Sequence, residues 1–288
     1  MIKETMVPSP ANLRILLSTA TDQLRRAGIE APQREARLLA AHAAGTDLAG
    51  LLRIDALTGA AHATFSQILT RRLNHEPMAY ITGQAGFWSL DLATSPATLI
   101  PRADSETLIE AVLHHLPDRT QALRVLDIGT GTGCLLLAIL AEYPHATGIG
   151  TDINPHAARL AADNAARNGL GARCATLCCN WAEAVHGPFD LVLSNPPYIP
   201  HTDLAGLMPD VVAHEPARAL DGGPDGLVAY RALAAALPTL LAPGGTSVLE
   251  LGIGQDHSVP ALMRASGLEV VETRPDLGGI GRALVVKK

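Results

Sequence analysis

Apolar residues recur with different periods along this chain of 288 residues. Up to about residue 76 they repeat every three or four positions, which predicts short amphipathic helices separated by Gly, Pro and Thr-Gly breaks. The predicted helices are ANLRILLSTATDQLRRAG, APQREARLLAAHAAG, DLAGLLRI and AHATFSQILTRRLN. We therefore predict a small helical-bundle domain over residues 1–76.

Residues 77–100 have a different pattern of apolar and polar positions. In AYITGQAGFWSLDLA, residues of alternating character flank a Gly-Gln-Ala-Gly stretch, which predicts a β-hairpin whose turn lies at these glycines. We expect this hairpin to link the helical domain to the rest of the chain.

Residues 101–288 begin with IPRADSETLIEAVLHHL, a predicted helix with Asp104 or Ser105 as its N-cap. Strand and helix patterns then alternate strictly, which favours a parallel sheet covered by helices on both faces, an α/β fold. The last stretch, LEVVETRPDLGGIGRALVVKK, predicts an antiparallel hairpin at the sheet edge.

Composition narrows the class of protein. Apolar residues make up 48% and charged residues 17%, as in globular proteins, and 22 basic against 28 acidic residues give a net charge of −6. This charge argues against stable binding to nucleic acid or an anionic membrane. The stretch MIKETMVPSPANL has no apolar signal core, and no apolar run approaches a membrane helix. We expect a cytoplasmic monomer.

Four cysteines are too few for a disulfide framework. Three of them cluster in CATLCC, where a thiolate metal site would need further Cys or His partners at a zinc-like spacing. We expect buried thiols on or beside a strand, and we predict no metal site.

A glycine-rich turn, DIGTGTGC, directly follows the first strand of the alternating region. Its residues Gly129, Thr130, Gly131, Thr132 and Gly133 predict a site where a ligand approaches the backbone at the start of a helix.

An acidic residue follows the second strand of this region. Asp152 can accept hydrogen bonds from both ribose hydroxyls, so the glycine turn and this carboxylate together indicate a nucleoside. A dinucleotide fingerprint would place a third glycine where Cys134 stands, so S-adenosylmethionine fits better than NAD. Asn180 and Trp181 follow the third strand and are candidates for the adenine site, although Trp181 is equally compatible with core packing.

The fourth strand runs into SNPPYIP. Asn195 and Pro196 supply carbonyl acceptors, Pro197 adds rigidity, and Tyr198 adds an aromatic ring with a hydroxyl group. Such a stretch suits a planar NH2 group, whereas the alternative is an ordinary proline-rich turn. Since strand ends converge at the crevice of a doubly wound sheet, we expect Asn195 beside the donor, where it would position a nitrogen for N-methylation.

Six motifs occur in order, namely IPRADSETLIE, DIGTGTG, TDINPHA, SNPPYIP, HEPARALDGGPDGL and DLGGIGRAL. With them the chain resembles the PrmC/HemK release-factor glutamine methyltransferases from about residue 12 to its end. The resemblance implies a class I (Rossmann-like) S-adenosylmethionine-dependent methyltransferase domain behind an N-terminal helical bundle. It also implies that the substrate is the glutamine of the Gly-Gly-Gln motif in class 1 peptide chain release factors.

By the same resemblance, residues 129–133, Asp152 and Trp181 hold the methyl donor, and residues 195–198 hold the glutamine, with Asn195 touching both ligands. The sequence departs from the family pattern at Asn180, where the family usually has an acid, and at IPRADSE, which replaces IPRPETE.

Several interpretations stay open. Arg102 and Glu106 either shape the site or belong to an ordinary helix start, and we interpret Glu215 as structural. The helical domain is expected to recognise the release factor, where Arg71 and Arg72 either contribute or are merely solvated.

Alternative functions remain for the whole chain. NPPY also suits amino-methylation of DNA or RNA bases, although the net charge and the 3% aromatic content favour a protein substrate. A ribosomal-protein glutamine methyltransferase and a donor-binding scaffold without turnover are the other candidates.

Overall fold

A computed structural model describes residues 11–288, which form two units. One unit contains the described residues up to Thr82 together with Pro209–His214, and the other contains Gly83–Met208 and Glu215–Lys288. The interpretation of residues 1–10 as lacking a signal segment lies outside the described residues. No helix in the described part of the chain combines the length and the apolar character that crossing a membrane requires.

The first unit is helical, as the sequence pattern predicts. Its elements are β1 (Ala11–Asn12), α1 (Leu13–Arg26), α2 (Pro32–Ala43), α3 (Leu48–Leu51), β2 (Ala56–Leu57), α4 (Gly59–Leu73), α5 (Met78–Thr82) and α9 (Pro209–His214). The amphipathic faces of the longer helices meet in a core where Leu24, Leu39 and Phe65 are fully buried. The helix pattern of residues 11–76 therefore translates directly into a packed bundle.

The helical unit includes a buried ion-pair cluster. Arg72, on α4, is 6% exposed and donates to Glu35 of α2 at 2.6 Å and to Asp210 of α9 at 2.8 Å. Asp210 also bonds His75 Nδ1 at 3.0 Å. Arg72 is thus committed inside the unit, whereas the neighbouring Arg71 pairs with Glu76 at the surface. Of the two arginines considered for partner binding, Arg72 is buried rather than solvated.

The predicted hairpin is present as β3 (Gln84–Phe87) and β4 (Leu90–Ala93), but its predicted turn is wrong. The Gly83–Gly86 stretch forms most of the first strand, and the chain turns at Trp88, which has a φ of 55°. Trp88 holds this turn because its backbone N–H donates to Glu106 and its indole N–H donates to Glu142, both at 2.7 Å. These partners are distant in sequence, so local glycine content does not reveal the turn.

The second unit has a seven-stranded sheet. Its strands are β5 (Arg124–Ile128), β6 (Thr147–Asp152), β7 (Cys174–Cys178), β8 (Phe189–Ser194), β9 (Leu241–Glu250), β10 (Glu269–Pro275) and β11 (Gly281–Lys287). They lie in the order β10-β11-β9-β8-β5-β6-β7, with β5 to β9 parallel and β11 antiparallel to both of its neighbours. The α/β prediction and the terminal hairpin at the sheet edge are confirmed.

Helices cover both faces of this sheet. They are α6 (Glu106–His115), α7 (Cys134–Glu142), α8 (Pro155–Arg167), α10 (Val228–Leu240) and α11 (Ser258–Ala265). Successive residues of β5 point to opposite faces, so Val125 joins one apolar cluster with α6 and α7, and Leu126 joins the other with α10 and α11. Double coverage explains why these strands are apolar runs rather than alternating ones.

One local prediction is wrong, and another is confirmed in position only. The thiols of CATLCC are not buried, because β7 is the outer strand of the sheet; Cys178 is exposed, and Cys174 and Cys179 are half-buried. Ser105 occupies the N-cap position of α6, but its side chain makes no capping hydrogen bond. Its hydroxyl group is instead engaged with distant residues of the site.

Candidate active site

A cavity of about 420 Å³ lies in the second unit at the carboxyl ends of β5, β6 and β8. Most of the site residues proposed from the sequence line it, namely Gly129, Thr130, Gly131, Thr132, Asp152, Asn180, Trp181, Asn195 and Pro197. Residues from four separate motifs therefore share one cavity, as expected for the crevice of a doubly wound sheet.

Three of the proposed residues do not line this cavity. Gly133 is the N-cap of α7, and a Cβ there would meet Leu137 and Ala161 at 3.2–3.3 Å, so this glycine allows close packing behind the loop. Pro196 is buried, and Tyr198 lines a second cavity of about 750 Å³.

The glycine loop is open toward the cavity. Gly129 and Gly131 have φ values of 76° and 57°, in the left-handed region that favours glycine. A Cβ at either residue would meet no atom within 4 Å. The loop is a cradle whose empty space a ligand can fill, with the start of α7 beneath it.

Asp152 closes one side of this cradle. Its Oδ2 accepts a hydrogen bond from the Gly131 N–H at 3.0 Å, and its Oδ1 accepts one from the Asn154 N–H at 2.8 Å. Burial raises the pKa of Asp152, while these two backbone hydrogen bonds and the positive charge of Arg218 oppose the rise. The carboxylate is held rigidly and keeps lone pairs for two further donors.

Asp127, on β5, is a cavity residue that the sequence reasoning missed. It is 1% exposed, and its Oδ2 accepts a hydrogen bond from Thr130 Oγ1 at 2.6 Å. Its Oδ1 has no partner among residues 11–288. Burial raises the pKa of Asp127 to about 7, against the opposing effect of the Thr130 hydrogen bond. The signal for this residue was available, because Asp127 opens DIGTGTG.

Asn180 and Trp181 lie together on another wall of the cavity. The Asn180 amide donates to Glu183 at 2.7 Å, which orients its side chain. Trp181 has a φ of 49°, and its carbonyl oxygen accepts a hydrogen bond from Thr151 Oγ1 at 2.7 Å. Trp181 also packs against the apolar cluster under α10, so its cavity position and its core packing are both real.

The NPPY stretch begins where β8 ends. Ser194 Oγ donates to the Ile128 carbonyl at 2.7 Å, which ties the ends of β8 and β5 together beneath the cavity. Asn195 Nδ2 donates to Ser105 Oγ at 3.2 Å, and the carbonyl of Tyr198 accepts from Gln255 at 3.1 Å. The motif is therefore held at both ends by side chains from other parts of the unit.

Arg102 and Glu106 make specific contacts inside the second unit. Arg102 lines the cavity and pairs with Glu215, whose other oxygen accepts a hydrogen bond from the Ile100 N–H at 3.2 Å. Glu215 is 6% exposed, so this pair anchors the chain before α6, which agrees with the structural interpretation of Glu215. Glu106 accepts from the Trp88 backbone and holds the hairpin turn.

Comparison with known proteins gives two matching family models. Residues 16–83 match the PrmC N-terminal domain, and residues 103–240 match the methyltransferase small domain. Together they cover the helical unit from residue 16, strands β5 to β8 of the sheet, and the cavity-lining residues from Ser105 to Asp221.

Curated relatives match along nearly the whole chain. The release factor glutamine methyltransferase of Rhodospirillum rubrum is 46% identical over 95% of this chain and 84% of its own length. The protein of that name from Bradyrhizobium diazoefficiens is 43% identical over 94% of this chain and 93% of its own length. Among solved structures, a methyltransferase from Pyrococcus furiosus has a TM-score of 0.52 at 19% identity, covering 77% of this chain and 98% of that one, which shows the fold.

Proposed function

Since the chain belongs to the release factor glutamine methyltransferases, we propose that it methylates the glutamine of the Gly-Gly-Gln motif in class 1 peptide chain release factors. The chain is a protein-glutamine N5 methyltransferase that uses S-adenosylmethionine. One observation carries the proposal: a single cavity brings together the glycine cradle, the Asp152 carboxylate and Asn195 of NPPY.

The cavity residues fit the methyl donor. The open cradle at Gly129 and Gly131 admits its amino-acid part, and the unpaired Oδ1 of Asp127 suits its ammonium group. Asp152 would accept the ribose hydroxyls, while Asn180 and Trp181 would hold the adenine. When bound, the donor supplies an electrophilic methyl group on a positively charged sulfur, which takes the electron pair of the broken C–S bond.

The NPPY residues would position the substrate nitrogen. An amide NH2 is a weak nucleophile, so catalysis depends on aiming its lone pair at the methyl carbon. Asn195 Oδ1 and the Pro196 carbonyl would accept the two N–H hydrogens, and Pro197 would keep this stretch rigid. A C–N bond forms, and the nitrogen loses one proton in the course of the reaction.

The first experiment is radiolabelled methyl transfer from S-adenosylmethionine to a purified class 1 release factor. The controls are the same factor with Gln→Ala at Gly-Gly-Gln, a ribosomal protein and nucleic acid. We expect label on the unaltered factor and none on the variant. Label confined to ribosomal protein or nucleic acid would overturn the substrate, and no label on any of them would favour a binding protein without turnover.

We also propose that the helical unit recognises the body of the release factor. A groove of about 450 Å³ lies between α1 and α4, lined by Leu16, Leu69 and Leu73, and Ile15 at its rim is 68% exposed. Exposed apolar surface rimmed by polar residues is typical of sites that bind proteins. Ile15→Glu should lower kcat/KM for the release factor about tenfold with unchanged donor affinity; an unchanged kcat/KM would argue against this surface.

The remaining parts of the proposal concern the state of the enzyme. We propose a monomer that works in the cytoplasm, where release factors meet ribosomes, without a stable nucleic-acid partner. The net charge of −6 supports the last point. Light scattering should give the mass of one chain, and a band shift with RNA at physiological salt would contradict the proposal.

A further inference from the structure

Glu250 is a buried carboxylate in the second unit that the proposed chemistry does not use. It stands at the end of β9, beside the strand that leads into NPPY, and is 1% exposed. Its Oε2 accepts a hydrogen bond from Ser105 Oγ at 2.5 Å, and its Oε1 accepts one from Tyr198 OH at 3.3 Å. Burying a carboxylate is costly, so its specific partners deserve a functional explanation.

Burial favours the neutral form of Glu250, and its hydrogen bond from Ser105 and the charge of Arg282 keep it mainly ionised near neutral pH. Burial raises its pKa to about 6, and the Ser105 hydrogen bond and the positive charge of Arg282 limit that rise. Arg282 is itself 5% exposed, and its Nε pairs with Asp276 at 3.1 Å. Near neutral pH the carboxylate is therefore an acceptor only.

The direction of the next hydrogen bond follows from this charge. Ser105 has one hydroxyl hydrogen, and it is committed to Glu250. Its oxygen can then only accept a hydrogen bond from Asn195, so the side-chain NH2 of Asn195 must face Ser105. The distance of 3.2 Å between Asn195 Nδ2 and Ser105 Oγ agrees with this orientation. The oxygen of the same amide is thereby left to face away from Ser105.

We propose that Glu250 is a positioning residue that acts through Ser105 to present the Oδ1 of Asn195, rather than its Nδ2, to the substrate amide. This inference rests on the proposed function. With the Asn195 amide reversed, two NH2 groups would face each other and no acceptor would hold the substrate nitrogen. Glu250 also receives the Tyr198 hydroxyl, so one carboxylate fixes both ends of the NPPY stretch.

The decisive test compares two variants of nearly equal size. Ser105→Thr keeps the hydroxyl, and Ser105→Val replaces it with a methyl group. Threonine should retain kcat within about threefold, and valine should lower kcat about tenfold to a hundredfold, with donor affinity similar in both. Equal kcat values in the two folded variants would overturn the proposal.

A third variant covers the case in which added volume at this buried position prevents folding. Ser105→Ala removes the hydroxyl without adding atoms, so it should keep the melting temperature close to that of the parent and still lose about tenfold or more in kcat. Full kcat in Ser105→Ala would overturn the proposal. Failure of the parent enzyme to label a release factor would instead refute the proposed function.

Glu250 itself is tested by a double-mutant cycle. Glu250→Gln can either accept from or donate to Ser105, so the hydrogen-bond relay from Glu250 through Ser105 to Asn195 loses its fixed direction. The kcat should then fall about tenfold. If Glu250 acts through Ser105, Glu250→Gln combined with Ser105→Val should have the kcat of Ser105→Val alone. Effects that multiply would show that Glu250 acts by another route.

A measurement on the protein without donor gives a readout independent of turnover. In NMR spectra of asparagine-labelled protein, the side-chain amide signals of Asn195 should shift in both Ser105→Ala and Glu250→Gln. Tyr230→Phe is the control, because the Tyr230 hydroxyl donates to the backbone oxygen of Glu250, at 2.7 Å, and not to its carboxylate. Unchanged Asn195 signals in both variants would contradict the relay.

Discussion

Asp152 is hydrogen-bonded to the glycine loop itself: its Oδ2 accepts the backbone N–H of Gly131 at 3.0 Å. This bond joins the end of β6 to the loop that follows β5. The group proposed to hold the ribose therefore also shapes the cradle proposed for the amino-acid part of the donor. Changes at either residue should disturb donor binding as a whole.

Asp152→Ala should weaken donor binding about tenfold to a hundredfold, because it removes a charged acceptor and frees the loop. Titration calorimetry with S-adenosylmethionine measures this directly. Asp163→Ala is the matched control, since Asp163 lies on the exposed face of α8 and pairs with Arg159 of the same helix. An equal effect of the two substitutions would refute the assigned role of Asp152.

Gly131→Ala should also reduce donor affinity, by about tenfold, because the added methyl group projects into the open cradle. It also forces alanine into the left-handed region at a cost of about 1 kcal/mol. Gly45→Ala is the control: Gly45 has a φ of 64° and open space around its Cβ position, but it lies on the helical unit. Both variants should lose similar stability in urea unfolding, and only Gly131→Ala should lose donor affinity.

Donor affinity should fall as the pH drops below 7. Burial raises the pKa of Asp127 to about 7, so its carboxylate becomes neutral in this range and loses its attraction for the donor's ammonium group. Titration calorimetry at several pH values from about 5.5 to about 8.5 measures the donor affinity across this range. Asp127→Asn should bind weakly and lose this pH dependence; a variant that keeps it would exclude Asp127 as the titrating group.

The same group predicts the pH dependence of stability, with a definite sign. The pKa of Asp127 rises from its ordinary value of 3.8 to about 7 on folding, so the folded protein holds this proton more tightly. Its contribution to stability is complete below pH 3.8 and is lost as the pH rises through about 7. Urea unfolding at pH 3.8 and at pH values above about 7 measures this change. The parent protein should lose stability between the two, and Asp127→Asn should not show this loss.

Arg72→Ala should destabilise the helical unit by about 3 kcal/mol, because it leaves Glu35 and Asp210 without their buried cation. Its neighbour Arg71 provides the control. The Arg71 side chain is 43% exposed and pairs with Glu76, so Arg71→Ala should cost less than about 1 kcal/mol. Equal midpoints of denaturant unfolding for the two variants would contradict the buried ion-pair cluster.

Local signals predicted much of the fold and of the site. The switch from helical to alternating periodicity marked the helical unit and the sheet, because burial of one face imposes a period on each element. The cradle and Asp152 were also predictable, since turns at the ends of adjacent parallel strands must converge.

The rest depended on partners distant in sequence. Ser105 seemed a helix cap, yet its hydroxyl reaches Glu250, which lies 145 positions away. The glycines predicted the hairpin turn at Gly83–Gly86, but the chain turns at Trp88. Hydrogen bonds to Glu106 and Glu142 hold Trp88 in this turn despite its left-handed backbone. Such pairings arise from tertiary packing, which no local spacing encodes.

The helical unit takes its last helix, Pro209–His214, from a stretch of chain that follows NPPY. A recombination event that exchanged only the first 82 residues would import Arg72 and leave Asp210 behind. The helical unit therefore cannot be exchanged between relatives as one continuous segment. Its two segments have to be inherited together or to adapt to each other, which links the evolution of the first 82 residues to that of the segment after NPPY.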